Sequence, residues 1–66
     1  MYIIGQRINI GYYTGFRHQT LVKTNAEVTN IFGDFINIKV KLPNGGYKKM
    51  FGYDYQLKEM ESNFHK

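Results

Sequence analysis

The stretch Phe35-Ile36-Asn37-Ile38-Lys39-Val40-Lys41-Leu42 decides how this chain is read. Ile36, Ile38, Val40 and Leu42 alternate with Asn37, Lys39 and Lys41, the period of two that marks a half-buried β-strand. One side of the strand is aliphatic and must be covered, while the lysine side stays wet. Pro43-Asn44-Gly45-Gly46 follows at once. Proline fixes φ and Asn-Gly accepts positive φ, so a hairpin into Tyr47–Tyr53 is expected. The register stays open. A two-residue loop at Asn44-Gly45 would set Val40 opposite Lys49 and Lys41 opposite Lys48. The first pair puts a lysine on the apolar side and the second opposes like charges. A longer loop or a bulge relieves the first conflict.

Working outward, Glu27–Phe32 reads as a strand joined to Phe35–Leu42 through the compact turn Gly33-Asp34. Ile4, Ile8 and Ile10 alternate with Arg7 and Asn9 to give a first strand. From Gly11 to Gln19 the chain is rich in Gly and Tyr without a lasting period, which predicts a long, partly ordered loop with His18 on its surface. Thr20–Thr24 begins the second strand or forms a short one of its own. In the tail, Asp54 is placed to cap a short helix whose Leu57, Met60 and Phe64 share one face. Leu57 is expected to seal the barrel end and the last few residues to fray.

Sixty-six residues make one domain, close to the lower limit for a chain that folds without staples. There is no cysteine, hence no disulfide and no Cys-based zinc site. Five Phe and six Tyr supply the bulk for a small core. No stretch reaches the length of a membrane span and the first residues lack a signal-peptide pattern, so a cytoplasmic protein without membrane contact is expected. The net charge is +4, and all of that excess lies in residues 1–56, because Lys58 and Lys66 balance Glu59 and Glu61. Such a surface attracts polyanions.

The inventory for catalysis is thin. The two histidines are His18 in the expected loop and His65 near the end, and the one serine is Ser62. Asp34 and Asp54 fall in turns, where bonding to backbone explains them. Glu59 and Glu61 are two apart and do not face each other on a helix. No spacing suits a metal, and Gly11 and Gly15 lack the flanks of a phosphate loop. A non-catalytic role without cofactor or metal is expected.

Taken together, these pieces resemble the SH3-like small barrels, in particular the single-domain KOW-like and Tudor-like kind found in bacteria and phages. Gly5-Gln6-Arg7-Ile8-Asn9-Ile10 resembles the opening strand, followed by a long loop. Ala26-Glu27-Val28-Thr29-Asn30-Ile31-Phe32 and Phe35–Leu42 resemble the next pair, with Ala26 where the KOW pattern has glycine. Asn44-Gly45 makes the distal hairpin, and Phe51 through Leu57 resembles the closing strand and terminal turn. The likeness covers residues 3–58 and rests on architecture. It implies a mostly β fold, a small SH3-like antiparallel barrel of about five short strands with a short C-terminal helical turn. Residues 1–58 form the barrel, and 59–66 a tail that is partly helical or frayed. The proline-peptide activity of eukaryotic SH3 domains is not implied, because the chain has no Trp.

Two binding roles follow. In the first, Arg7, Arg17, Lys39, Lys41, Lys48 and Lys49 pair with phosphates of a nucleic acid, free or in a nucleoprotein complex. Tyr12 and Tyr13 then stack on bases, with Phe16, Tyr53 and Tyr55 as further stacking candidates. In the second, the chain is a protein–protein adaptor or phage-type accessory protein that docks on a host enzyme and modulates it. Tyr12, Tyr13, Phe16, Met60 and Phe64 then form the contact. By ordinary burial habits Phe16, Phe32, Phe35 and Phe51 belong in the core. Either role suits a monomer or weak homodimer.

Overall fold

The computed structural model describes residues 1–17 and 19–66; His18, expected on the surface of a loop, lies outside them. Four antiparallel strands, β1 (Arg7–Thr14), β2 (Thr20–Phe32), β3 (Phe35–Lys41) and β4 (Tyr47–Tyr53), precede one helix, α1 (Asp54–Phe64). The strands pair in chain order, leaving β1 and β4 as the two edges of an open sheet. Thr20–Thr24 is no separate strand. It continues into Glu27–Phe32 because the first part of β2 pairs with β1 and its second part with β3. A register shift between Val28 and Asn30 lets β2 change partners, as a bulge bends and twists its strand.

The stretch expected as a long loop is largely strand. Gly11, Tyr12 and Tyr13 pair with Lys23, Val22 and Leu21, so only residues 15–19 connect β1 to β2. Local sequence carried no period there; the pairing partner supplies the order instead. Ile4 does not share the inner face of the first strand. It lies in a turn before β1 and is exposed, as is Ile3. Gly5 sits at φ 90° in that turn and its N–H donates to the Val28 carbonyl at 2.8 Å.

Leu42 to Gly46 link β3 and β4. The Leu42 N–H donates to the Gly46 carbonyl at 2.8 Å, and the Asn44 side chain accepts from the Gly46 N–H at 2.8 Å. The longer connection fixes the register: Val40 faces Lys48, Lys41 faces Tyr47, and Lys39 faces Lys49. Lys48 therefore shares the parity of Val40, but at the sheet's edge its ammonium reaches solvent. The opposed like charges are Lys39 and Lys49.

The inner face buries Ile8, Ile10, Ala26, Val28, Ile36, Ile38 and Val40, with Leu57 from the helix completing the cluster. Tyr12, Ile31, Met50 and Met60 pack around it. The helix starts where the Tyr53 N–H donates to Gln56 Oε1 at 2.8 Å, with Asp54 in its first turn. It lies chiefly on β1, where two backbones come very close. A Cβ on Gly11 would stand 2.9 Å from the Asn63 carbonyl carbon, and the buried Asn63 amide donates to the Gly11 carbonyl. Gly11→Ala is expected to push the helix off β1 and cost about 1–3 kcal/mol, read from urea unfolding.

Tyr2 is buried and ties the N-terminus to the helix, its hydroxyl donating to the Glu61 carboxylate. Burial first, then that hydrogen bond and the charges of Glu61 and Asp54, raise the phenol well above its ordinary value of 10.0. The folded state thus keeps a proton that the unfolded chain releases near pH 10. Stability is intact below that pH and falls as pH rises above it. Tyr2→Phe is expected to flatten this alkaline decline while costing about 1 kcal/mol at neutral pH, measured by urea titrations from pH 7 upward.

Candidate nucleic-acid interface

The helix closes the aliphatic side with Leu57 and meets Gly11 on β1, and it leaves the outer rows between Arg7 and Tyr53 uncovered. The register arranges that outer face in rows running across the strands. Phe32, Phe35 and Tyr53 form one row, and Asn30, Asn37 and Phe51 the next. Arg7, Glu27, Lys39 and Lys49 form a third, and Lys41 stands opposite Tyr47 in the last. Aromatic side chains thus occupy one end of the face and cations the other.

The aromatic end is exposed, with Phe32 at 61% and Phe51 at 69% of full accessibility. Phe35 lies 5.3 Å from Phe51 and 5.6 Å from Tyr53 between ring centroids, and Tyr53 and Tyr55 lie parallel at 6.2 Å. The expectation that Phe16, Phe32, Phe35 and Phe51 are core residues is corrected. Phe16 is almost fully exposed in the β1–β2 connection, Phe32 and Phe51 are exposed, and Phe35 is half-buried. They share the strand parity of the lysines and not of the aliphatics, so the core is filled without them.

At the cationic end, Lys39 Nζ lies 4.4 Å above the Tyr47 ring, close enough for a cation–π attraction. Among the described residues the one ion pair within 4.0 Å joins Lys58 to Asp54 on the helix. Arg7, Lys39, Lys41 and Lys49 therefore keep their charge available, with Glu27 as the one acid in their rows. Two shallow grooves cross this region. One of about 460 Å³ is lined by Asn30, Asn37, Lys39, Lys49 and Phe51 among others. The second, about 190 Å³ and polar, runs between Arg7, Glu27, Lys39, Lys41 and Tyr47. Lys39 borders both.

The remaining residues singled out from the sequence lie elsewhere. Lys48 is on the opposite parity from Lys49. Tyr12 packs on the core, and Tyr13 stands near the helix end, its ring 5.9 Å from Lys66 Nζ. Arg17 is exposed in the β1–β2 connection. The seven-residue step from Arg7 to Thr14 spans about 23 Å of strand, which separates it from the basic rows. Met60 packs on the core, and Phe64 is half-buried against His65. Tyr12, Tyr13, Phe16, Met60 and Phe64 thus do not form one exposed patch. Phe35, Phe51 and Tyr47 were not singled out as site residues, although parity with Lys39 places them on its face once the register is known.

Comparison with protein-family models, with curated proteins and with solved structures finds no match. No helix among the described residues is long and apolar enough to cross a membrane.

Like charges directly opposite on neighbouring strands destabilise a sheet. Lys49→Glu should turn the repulsion at Lys39 into attraction and raise Tm by about 1–5 °C. Thermal melts at low and high salt check this, since the gain should shrink as salt screens the pair.

Proposed function

We propose that this chain is a non-catalytic module that binds single-stranded nucleic acid, free or within a nucleoprotein complex, on the outer face of its sheet. The observation that carries this reading is the adjacency of an aromatic cluster, half-buried Phe35 with exposed Phe51 and Tyr53, to cations at Arg7, Lys39, Lys41 and Lys49 that have no ion-pair partner within 4.0 Å among the described residues. Bases stack on the rings, and phosphates follow the lysines. A duplex hides its base faces, so the aromatic end serves a strand whose bases are unstacked. The opposed pair Lys39 and Lys49 costs stability in the free protein, and a phosphate between the two ammonium groups removes that cost.

The non-catalytic part of the reading rests on a chain with two histidines, one serine and no cysteine. What supports a likeness to the SH3-like small barrels is the four-strand meander, with α1 against β1 where a closing fifth strand would pair. Such barrels are binding scaffolds, in keeping with the same role.

The test is fluorescence anisotropy with labelled uridine and thymidine octamers and a duplex control. If the four cations each neutralise one phosphate, affinity for a single strand should fall about 50-fold between 50 and 200 mM salt. The double variant Lys39→Glu/Lys41→Glu should abolish binding, and Phe51→Ala should lose about 1–3 kcal/mol. Absence of binding at low salt, with recovery of one stoichiometric protein after nuclease treatment, would instead favour the adaptor role.

A further inference from the structure

The aromatic end of the outer face does not stop at Tyr53. It continues to Tyr55, and beyond the two rings the chemistry changes sign. A cleft of about 350 Å³ is lined by Asp34, Tyr53, Asp54 and Tyr55. The two tyrosine rings along it are parallel within 5°. Asp34 and Asp54 are not equivalent there. Asp54 is held by Lys58, 3.2 Å away, which neutralises it. Asp34 has no cation within 4.0 Å among the described residues, and its backbone carbonyl accepts from the Asp54 N–H at 3.1 Å, which anchors the turn that presents it.

We infer that this cleft is a base-reading subsite that selects guanine at one end of the bound strand, with Asp34 as the reader. The inference rests on the single-strand reading above and names what the strand carries. A planar base lies against the tyrosine pair, as bases do on aromatic platforms. An ionised carboxylate only accepts hydrogen bonds and offers two oxygens side by side. Guanine is the one common base whose pairing edge presents two adjacent donors, N1–H and the N2 amino group. Adenine and cytosine place a ring-nitrogen acceptor beside their single amino group, and uracil and thymine flank N3–H with two carbonyls. Each would set a lone pair against the carboxylate. The unneutralised charge of Asp34 also repels phosphate, so the backbone ends at or turns away from this cleft. The strand's phosphates lie over the lysine rows and its terminal base reaches Asp34.

Competition anisotropy distinguishes this inference from the reading beneath it. The probes are a uridine octamer and the same octamer with a single guanosine, or a single inosine, at its 5′ or 3′ end. A single guanosine should tighten binding about tenfold at one end only. Inosine, which lacks the N2 amino group, should lose most of that gain, and Asp34→Asn should bring the guanosine-to-uridine ratio to about one. Equal binding of all octamers by the wild type overturns the guanine subsite and leaves the single-strand reading standing. A preference that survives Asp34→Asn overturns the assignment of Asp34. Failure of every octamer to bind overturns both.

Discussion

Leu57 seats the helix on the sheet, and the two-sidedness of the molecule depends on that contact. Its side chain is fully buried and lies over Gly52, where a Cβ would come within 3.3 Å of its Cδ1. Beneath it are the aliphatic rows that β2 and β3 turn to one side, with Val28, Ile38 and Val40 at or below 1% exposure. So small a chain has one core of this kind and no disulfide to reinforce it. The inner-row aliphatics of β1, β2 and β3 form one cluster with Leu57 of the helix. One face is therefore closed and the other open to solvent.

The open face is not a generic wet surface. Large exposed aromatics are costly to a protein that does nothing with them, and Lys39 opposite Lys49 adds repulsion that a change of one residue would remove. The proposed single strand, with its flat bases and anionic backbone, would make both features favourable together. The tie between Tyr2 and Glu61 and the close approach of Gly11 to Asn63 hold the helix on β1, and the outer rows of β3 and β4 stay uncovered.

The alternation in Phe35–Leu42 made the inner face of β3 legible at once, and the spacing of Leu57, Met60 and Phe64 gave the helix. Two things were not legible. Gly11–Thr14 carries no period because its order comes from Thr20–Lys23 across the hairpin, a pairing that alternation within the segment itself does not reveal. The aromatics were misplaced for a different reason. Phe35 and Phe51 look like core by burial habit, yet Phe35 has the same parity as Lys39, and Phe51 the same parity as Lys49. The register of the Leu42–Gly46 connection decides which habit wins, and turn chemistry alone does not fix it. The basic half of the site was thus visible at Lys39 and Lys41, whereas its aromatic half needed the fold.

The most direct measurement of the central claim is amide chemical-shift mapping of the labelled protein on adding a short single-stranded oligonucleotide. The perturbed amides are expected on the outer rows of β3 and β4, around Asn37, Lys39, Lys49 and Phe51, with Leu57 and Ile38 nearly still. Shifts gathered instead on the exposed side of the helix, or at Tyr13 and Phe16, would contradict it.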